Sequence, residues 1–219
     1  WIREESGIKL YKSGSTFLEI EPLSEFLASQ LAEVICRQAV LYDLDYYHGK
    51  LISKCPLFTS ETVGLAKASA VFHGAEHTIP DLLRYFRGIG GEDALRRMCV
   101  LDAIILNPDR HYGNFGVLFD TATMEVLQMA PVFDNNKSLL PELDNDQLAA
   151  PDWYIARCRP RIGRDFILTA RGLLTNEIRA DLEQMRNFTF HQHPKIQAEQ
   201  VRLDAWSGIV QARIPKLLD

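Results

Sequence analysis

Apolar side chains recur at helical spacing in two prominent stretches of the chain. The first follows Pro22, which suits the first turn of a helix because its missing N–H would be unpaired there anyway. The second spans 92–106, has two acidic residues in its first turn, and ends at Asn107-Pro108, because the residue before a proline is pushed out of the helical region. Spaced apolar residues predict further helices over 79–86, 176–187 and 196–214.

Strand-like segments separate these helices. Residues 1–12 predict a short strand pair followed by a turn over 13–16, and residues 40–47 and 50–55 predict two strands around His48-Gly49. Residues 115–119 and 125–129 flank a turn-like segment and predict a hairpin. We therefore predict an α+β fold, with a small mixed domain over 1–58 and a mostly helical domain over 59–219.

The composition is that of a soluble globular protein, with 219 residues, 47% of them hydrophobic and 24% charged. No apolar run approaches the about 20 residues that a bilayer span needs. The net charge of −5 provides no overall attraction to nucleic acid or anionic lipid, so we expect neither as a direct partner.

The cysteines and two C-terminal histidines form no metal-ligand pattern. No two cysteines make a Cys-x-x-Cys pair, so we expect reduced, mostly buried thiols in a cytoplasmic protein. His191 and His193 bracket one glutamine and have no carboxylate or cysteine nearby, so we expect surface residues. The cysteines are Cys36, Cys55, Cys99 and Cys158.

Three oxygen-bearing side chains carry the most informative pattern. Asp109 follows a predicted helix end, Asn114 comes five residues later, and Asp134 follows the predicted hairpin. Because a hairpin returns the chain to its starting edge, we expect Asp134 to lie close to Asn114. Phosphoryl transfer uses such a set: one carboxylate orients the attacking hydroxyl, and hard oxygen ligands hold Mg²⁺ on nucleotide phosphates. Each residue alone is also an ordinary turn or loop residue, but the ordered set favours the catalytic interpretation.

The run from Leu101 to Val117, with its core Asp-Arg-His-x-x-Asn-Phe-Gly, resembles the catalytic segment of HipA-like serine/threonine kinases. The shorter core Asp-Arg-His-x-x-Asn is also similar to that of phosphatidylinositol kinases, but the wider context Asn-x-Asp-Arg-His-x-x-Asn-Phe-Gly, with the later Pro-Val-Phe-Asp, is closer to the HipA-like group. The resemblance implies a bilobal protein-kinase-like fold with ATP and Mg²⁺ as cofactors. It implies Asp109 and Asn114 as catalytic residues, and Asn114 and Asp134 as metal ligands.

The resemblance also implies a nucleotide-binding lysine paired with a helix carboxylate. We assign these roles to Lys12 and Glu25, with Lys9 and Glu21 as the alternatives. The competing interpretation, without a binding role, is that the lysine faces solvent and the glutamate is exposed on its helix. Family members place the adenine-contacting hinge after the last strand of the small lobe, where backbone groups provide the recognition. In this chain the hinge candidates are Cys55, Leu57 and Phe58.

Residues around the catalytic segment have two interpretations each. Asp102 lies on about the same helical face as Asp109 and either anchors the loop or is a half-exposed acid. His111 either braces the loop, as the resemblance implies, or acts as a general base in place of Asp109. Four arginines within eight residues either contact an acidic or tRNA-bound substrate or simply form a solvated loop, the interpretation we favour: Arg157, Arg159, Arg161 and Arg164.

The sequence departs from the kinase pattern in two places. It has no Gly-rich phosphate loop, since Ser13-Gly14-Ser15 is too short and follows the lysine; we expect that loop upstream of Trp1 or replaced by another segment. Asp134 is followed by two asparagines instead of Phe-Gly. HipA-like members tolerate variation there, so the second departure does not argue against activity.

The sequence as a whole predicts a kinase that phosphorylates Ser or Thr hydroxyls of a protein substrate. Kinases of this family are often toxins paired with a DNA-binding antitoxin, which makes such an antitoxin a candidate partner. Two alternatives remain open: a lipid or small-molecule kinase, and a non-catalytic nucleotide-binding module, which the missing Gly-rich loop would favour.

Overall fold

The computed structural model describes residues 1–15, 19–73 and 77–219. Thr16, the last residue of the predicted turn, lies outside them. The strands in the described part are β1 (Ile2–Glu4), β2 (Gly7–Ser13), β3 (Asp43–Tyr47), β4 (Lys50–Pro56), β5 (Val63–Lys67), β6 (Gly116–Asp120) and β7 (Val126–Met129). The helices there are α1 (Glu21–Ile35), α2 (Ala68–Val71), α3 (Ile79–Gly88), α4 (Glu92–Ile105), α5 (Asn145–Ala149), α6 (Asp152–Ile155), α7 (Phe166–Arg171), α8 (Asn176–Gln184) and α9 (Gln200–Leu218).

The strands form two small antiparallel sheets. The first has the order β1-β2-β4-β3, and the second has the order β5-β6-β7. In the first sheet Lys12 lies directly opposite Ser53, and α1 packs against β2, β3 and β4. This register places Lys12 and Ser53 side by side at the sheet face that α1 covers.

Helix α4 is the centre of the hydrophobic core. It packs against α1, α3, α7 and α9, and Leu95, Met98, Leu101 and Ile104 are fully buried. The helix ends where Leu106 adopts a left-handed conformation, with φ of 53°, just before Asn107-Pro108. The long helix predicted over 92–106 is therefore confirmed, and it delivers the following loop from a rigid, fully packed element.

The predicted hairpin is confirmed as β6 and β7, with Asp120 accepting hydrogen bonds from the turn amides of Ala122 and Thr123. The sequence analysis missed β5, which pairs with β6 along its whole length. The pairing needs glycine at position 116, because a Cβ atom there would lie 2.1 Å from the carbonyl oxygen of Ala66. The sequence of β5 lacks the alternation of apolar and polar residues that marks a strand with one buried face. All but one of its residues are half-buried, so the two faces of the strand hardly differ in exposure.

The strand predicted over 40–47 begins later, at Asp43. The preceding segment pairs with a different part of the chain: the amide of Val40 donates to the carbonyl of Val132, and the amide of Val132 donates to the carbonyl of Gln38. This exchange of backbone hydrogen bonds ties the start of β3 to the segment that carries Asp134. The local pattern could not show it, because the partner lies about 90 residues away in sequence.

His193 was expected on the surface, and this expectation is wrong. The imidazole is 5% exposed, with its Nε2 2.9 Å from Oδ1 of Asp43. Its Nδ1 accepts hydrogen bonds from the amides of Lys195 and Ile196. His193 therefore secures the segment before α9 against β3.

None of the helices in the described ranges is both long enough and apolar enough to cross a lipid bilayer. Cys36, Cys55 and Cys99 are buried, Cys158 is half-buried, and all four are free thiols, as expected from their spacing.

Replacing Leu101 with alanine tests the central role of α4. Leu101 is fully buried, so L101A should lower the free energy of unfolding by about 2–5 kcal/mol, through lost burial and the cavity left behind. Urea denaturation followed by circular dichroism measures the change. The matched control is L127A on β7, where the leucine is 50% exposed and the loss should be well under that of L101A. Equal losses would contradict the assignment of α4 as the core helix.

Candidate active site

Lys12 lies at the centre of a cluster of three charged residues, in which it forms two ion pairs. Its Nζ is 2.6 Å from Oε1 of Glu25 and 2.7 Å from Oδ1 of Asp134. Glu25 is fully buried on α1 and also accepts a hydrogen bond from the hydroxyl of Ser53, at 2.6 Å. The ammonium therefore joins the first sheet, helix α1 and the segment after β7 at one point.

The charges of this cluster stabilise one another. Burial alone would lower the pKa of the Lys12 ammonium, but the negative charges of Glu25 and Asp134 outweigh it and raise that pKa above its ordinary value. Burial raises the pKa of the Glu25 carboxyl, and the charge of Lys12 opposes this shift. Lys12 therefore remains a cation at neutral pH and provides a fixed positive charge for an anionic ligand.

A cleft of about 380 Å³ opens beside this cluster. Lys12 and Asp134 lie together at a charged end, and Lys67 is a further cation in the lining. The three predicted hinge residues line the walls together with Leu10, Tyr42 and Phe133. The wall residues that the sequence predicted are Cys55, Leu57 and Phe58. A mostly apolar cleft with cations and a carboxylate in its lining suits a flat heteroaromatic ring that carries a polyanionic tail.

The Cys55 thiol in this cleft has low reactivity as a nucleophile. Burial raises its pKa to about 11, so the thiol stays protonated at neutral pH. Cys55 therefore contributes a cleft wall and its backbone, not a nucleophile.

The alternative pair, Lys9 and Glu21, lies away from the cluster. Lys9 Nζ is 3.1 Å from Glu4, on the edge strand β1. Glu21 accepts hydrogen bonds from Ser15 and Asn136 and forms an ion pair with Lys137. The ion pair between a strand lysine and a helix carboxylate is therefore the one between Lys12 and Glu25, and Glu21 instead holds the segment that follows Asp134.

Asp134 occupies an unusual backbone conformation. Its φ is 61°, in the left-handed region that non-glycine residues adopt at a cost. Its amide donates to the hydroxyl of Tyr42, and the next amide, that of Asn135, donates to Glu25. These contacts hold the strained residue so that its carboxylate faces the cleft.

The loop after α4 carries the other predicted residues. Asn107 Oδ1 accepts a hydrogen bond from the amide of Asp109 at 3.0 Å, and Asn107 Nδ2 donates to Asp102 on α4. The amide nitrogen of the Asn114 side chain donates to the carbonyl of Asp109 at 2.9 Å. Asp109 and Asn114 are thus fixed to each other through the loop backbone and to the end of α4 through Asn107.

Arg110 connects this loop to the segment of Asp134. Its side chain is 1% exposed and pairs with Asp102, with Nη2 2.9 Å from Oδ1 and Nε 3.0 Å from Oδ2. Its Nη1 donates both to the carbonyl of Asn114 and to the carbonyl of Phe133. One guanidinium nitrogen therefore holds Asn114 beside the residue that precedes Asp134. This agrees with the expectation that the hairpin returns the chain to the neighbourhood of Asn114.

The structure decides between the two interpretations of Asp102. The carboxylate is buried, and burial raises its pKa while the charge and hydrogen bonds of Arg110 oppose the shift. Asp102 therefore anchors the loop and is not a half-exposed acid. The sequence analysis gave Arg110 no role of its own. The feature that could have indicated its role is Asp102, a carboxylate on a buried helix face eight residues earlier in the chain.

The Asp109 carboxylate contacts two residues that do not line the cleft. Its Oδ1 lies 3.3 Å from Nε of Arg161, and its Oδ2 lies 3.8 Å from Nε2 of His111. Nδ1 of His111 accepts a hydrogen bond from the amide of Gly113, so this histidine braces the loop. Gly113 also lines the cleft, so the loop that carries Asp109 borders it.

The oxygen donors present fit a magnesium ion that arrives with phosphates. In the described ranges no group of three or more His, Cys, Asp or Glu side chains could hold a metal ion by itself. Mg²⁺ is usually bound by one or two carboxylates together with substrate phosphates and water, so it needs no such group. The Asp134 carboxylate and the Asn114 amide oxygen provide hard ligands of the required kind.

The fold is similar to that of a kinase of known structure. No protein-family model matches this chain, and no curated protein matches its sequence. The structure matches the crystal structure of the proinflammatory kinase CtkA from Helicobacter pylori, with a TM-score of 0.69 and 18% sequence identity, over 96% of this chain and 85% of that chain. This mixed α+β chain, with two small sheets and several helices, therefore has a kinase-like fold.

Replacing Asp102 with asparagine tests the buried anchor. D102N keeps the shape of the side chain but leaves the Arg110 guanidinium buried without a counter-ion, so the free energy of unfolding should fall by about 3–5 kcal/mol. Chemical denaturation measures it, with D204N on the exposed face of α9 as the control. A loss no larger than that of D204N would show that the pair does not hold the loop.

Proposed function

We propose that this chain is an ATP- and Mg²⁺-dependent phosphotransferase of the HipA-like type that phosphorylates Ser or Thr hydroxyls of proteins. The observation that carries the proposal is the Lys12 ammonium held between Glu25 and Asp134 at the charged end of the cleft. A kinase-like fold and a loop in which Asp109 and Asn114 are joined support it. A two-lobed organisation with the nucleotide between residues 1–58 and 59–219 belongs to the same proposal.

Each residue of the site has a role in this proposal. Leu57 and Phe58 contact the adenine, and Lys12 binds the phosphates while Glu25 keeps its ammonium in place. Asn114 and Asp134 hold Mg²⁺, which when bound neutralises charge on the phosphates. Asp109 orients the acceptor hydroxyl and takes its proton as the hydroxyl oxygen bonds to the γ-phosphorus and ADP leaves.

Lys12 and Asp134 form an ion pair with each other that nucleotide binding has to change. Oδ1 of Asp134, the carboxylate that we propose as a Mg²⁺ ligand, accepts a hydrogen bond from Lys12. Phosphate oxygens offer the ammonium a new partner, which frees the carboxylate oxygen for the metal. The site is therefore arranged so that nucleotide and metal favour each other's binding.

The cellular setting stays part of the proposal. Free, mostly buried thiols fit a reducing, cytoplasmic location. A DNA-binding antitoxin remains a candidate partner through the sequence resemblance, and co-purification from a host that expresses the neighbouring genes would test it.

Replacing Asp109 with asparagine tests the proposed proton acceptor. D109N should lower the rate of phosphate transfer by about 10²–10⁴-fold, since the amide cannot take the proton. It should keep the rise in melting temperature caused by Mg²⁺-ATP, because Asp109 does not line the cleft. Transfer of radiolabelled phosphate to a protein acceptor and thermal-shift measurements provide the two readouts.

The control for D109N is D204N, which should behave as the wild type in both assays. Full activity of D109N would mean that another group, such as His111, accepts the proton. A wild-type protein that binds Mg²⁺-ATP yet transfers phosphate to no protein, lipid or small-molecule acceptor would instead identify a non-catalytic nucleotide-binding module.

Replacing Asp134 with asparagine tests the proposed metal ligand. D134N should weaken the binding of a fluorescent ATP analogue by about tenfold or more when Mg²⁺ is present, and much less in EDTA, because the variant loses a charged metal ligand. The matched control is D45N, an aspartate that pairs with Lys54 and does not line the cleft. Equal effects with and without Mg²⁺ would contradict a metal-binding role.

A further inference from the structure

A second concave surface is lined by the two residues that contact the Asp109 carboxylate, His111 and Arg161. This groove of about 910 Å³ is bordered by the start of α3, by the loop residues His111 and Tyr112, and by the segment that enters α7. We name it the basic groove, and its residues used below are His111, Arg161, Arg164, Asp165 and Leu168. It is distinct from the cleft at Lys12, since the two share no lining residue in the described ranges.

The groove reaches the carboxylate that we assign as the proton acceptor. Arg161 extends from the groove wall to place its Nε 3.3 Å from Oδ1 of Asp109, yet 60% of its side chain is exposed. His111, which also lines the groove, has its Nε2 3.8 Å from Oδ2 of the same carboxylate. A chain that lies in this groove beside Arg161 would therefore run next to the Asp109 carboxylate.

The four clustered arginines divide into two pairs with different surroundings. Arg157 stacks on the Trp153 ring at 3.7 Å, and Arg159 donates to the carbonyls of Ala156 and Cys158. Neither lines the groove. Arg161 and Arg164 do line it, so only half of the cluster forms a plain surface loop, and the other half presents its charge to the groove.

Among the described lining residues of the groove, one carboxylate stands beside the two arginines. The carboxylate of Asp165 is engaged as the N-cap of α7, where it accepts a hydrogen bond from the amide of Leu168 at 3.0 Å. The Leu168 side chain itself is 71% exposed and lines the groove. The described walls thus combine Arg161, which contacts Asp109, and Arg164 with the exposed apolar side chain of Leu168.

We propose that the basic groove binds the acceptor segment of an acidic protein substrate, and that Arg161 and Arg164 select a carboxylate side chain beside the acceptor Ser or Thr. This inference rests on the proposed kinase function and adds the substrate class. The substrate carboxylate takes over the guanidinium of Arg161, which frees Oδ1 of Asp109 to accept the hydrogen bond of the acceptor hydroxyl. Leu168 packs against an apolar residue of the same segment.

The test compares two short synthetic peptides, one with a serine flanked by aspartates and one with asparagine at each of those positions. The wild type should bind the acidic peptide more tightly by fluorescence anisotropy, and should phosphorylate it with the higher kcat/KM. In the double variant R161Q/R164Q the ratio of the kcat/KM for the acidic peptide to that for the asparagine peptide should fall by roughly tenfold, because two exposed ion pairs are lost. The ratio of the two binding affinities should fall with it. Added salt should reduce the wild-type preference in the same direction.

The matched control is R157Q, which removes one charge from the same cluster but outside the groove. R157Q should keep the wild-type preference for the acidic peptide, both in binding and in kcat/KM. A wild type with no preference for the acidic peptide, or a preference that R161Q/R164Q retains, would overturn the inference. Because anisotropy needs no turnover, it tests the groove even in an inactive protein. Acidic-peptide binding that depends on Arg161 and Arg164, without any phosphate transfer, would contradict the proposed function and support the groove.

Discussion

The buried pair of Arg110 and Asp102 is the interaction on which the rest of the site depends. Asp102 belongs to α4, the most deeply packed helix, while Arg110 belongs to the loop that follows it. The same guanidinium donates to the carbonyls of Asn114 and Phe133. A charge this deeply buried is tolerated only with a counter-ion and satisfied hydrogen bonds, so the loop has essentially one conformation in which Arg110 can be accommodated. That conformation brings the two polar segments of the site together.

The consequence is a site with two sides. On one side Lys12, Glu25 and Asp134 close the charged end of the cleft at the first sheet. On the other side Asp109 contacts Arg161, which lines the basic groove. The loop borders both surfaces, since Gly113 lines the cleft while His111 lines the groove.

Much of the local structure followed from residue patterns. The helix of 92–106 and the hairpin after Phe115 carried strong signals, because apolar periodicity and turn residues act over a few positions. The missed strand β5, the late start of β3 and the burial of His193 share one cause. Each depends on a partner far along the chain, β6 for the first, Val132 for the second and Asp43 for the third, and no local pattern encodes such a partner.

The sequence by itself determined the candidate groups of the proposed site: the ordered oxygen donors at 109, 114 and 134, and a lysine ahead of an amphipathic helix with a glutamate. Their order follows from chain connectivity and their types from the chemistry of phosphate and metal. Only the tertiary structure decided that Lys12 meets Asp134 across 122 positions, that Glu25 and not Glu21 is its carboxylate partner, and that Arg161 reaches Asp109. Such pairings form when separate elements bury their apolar faces against a common core, and the geometry of that packing is a property of the whole chain.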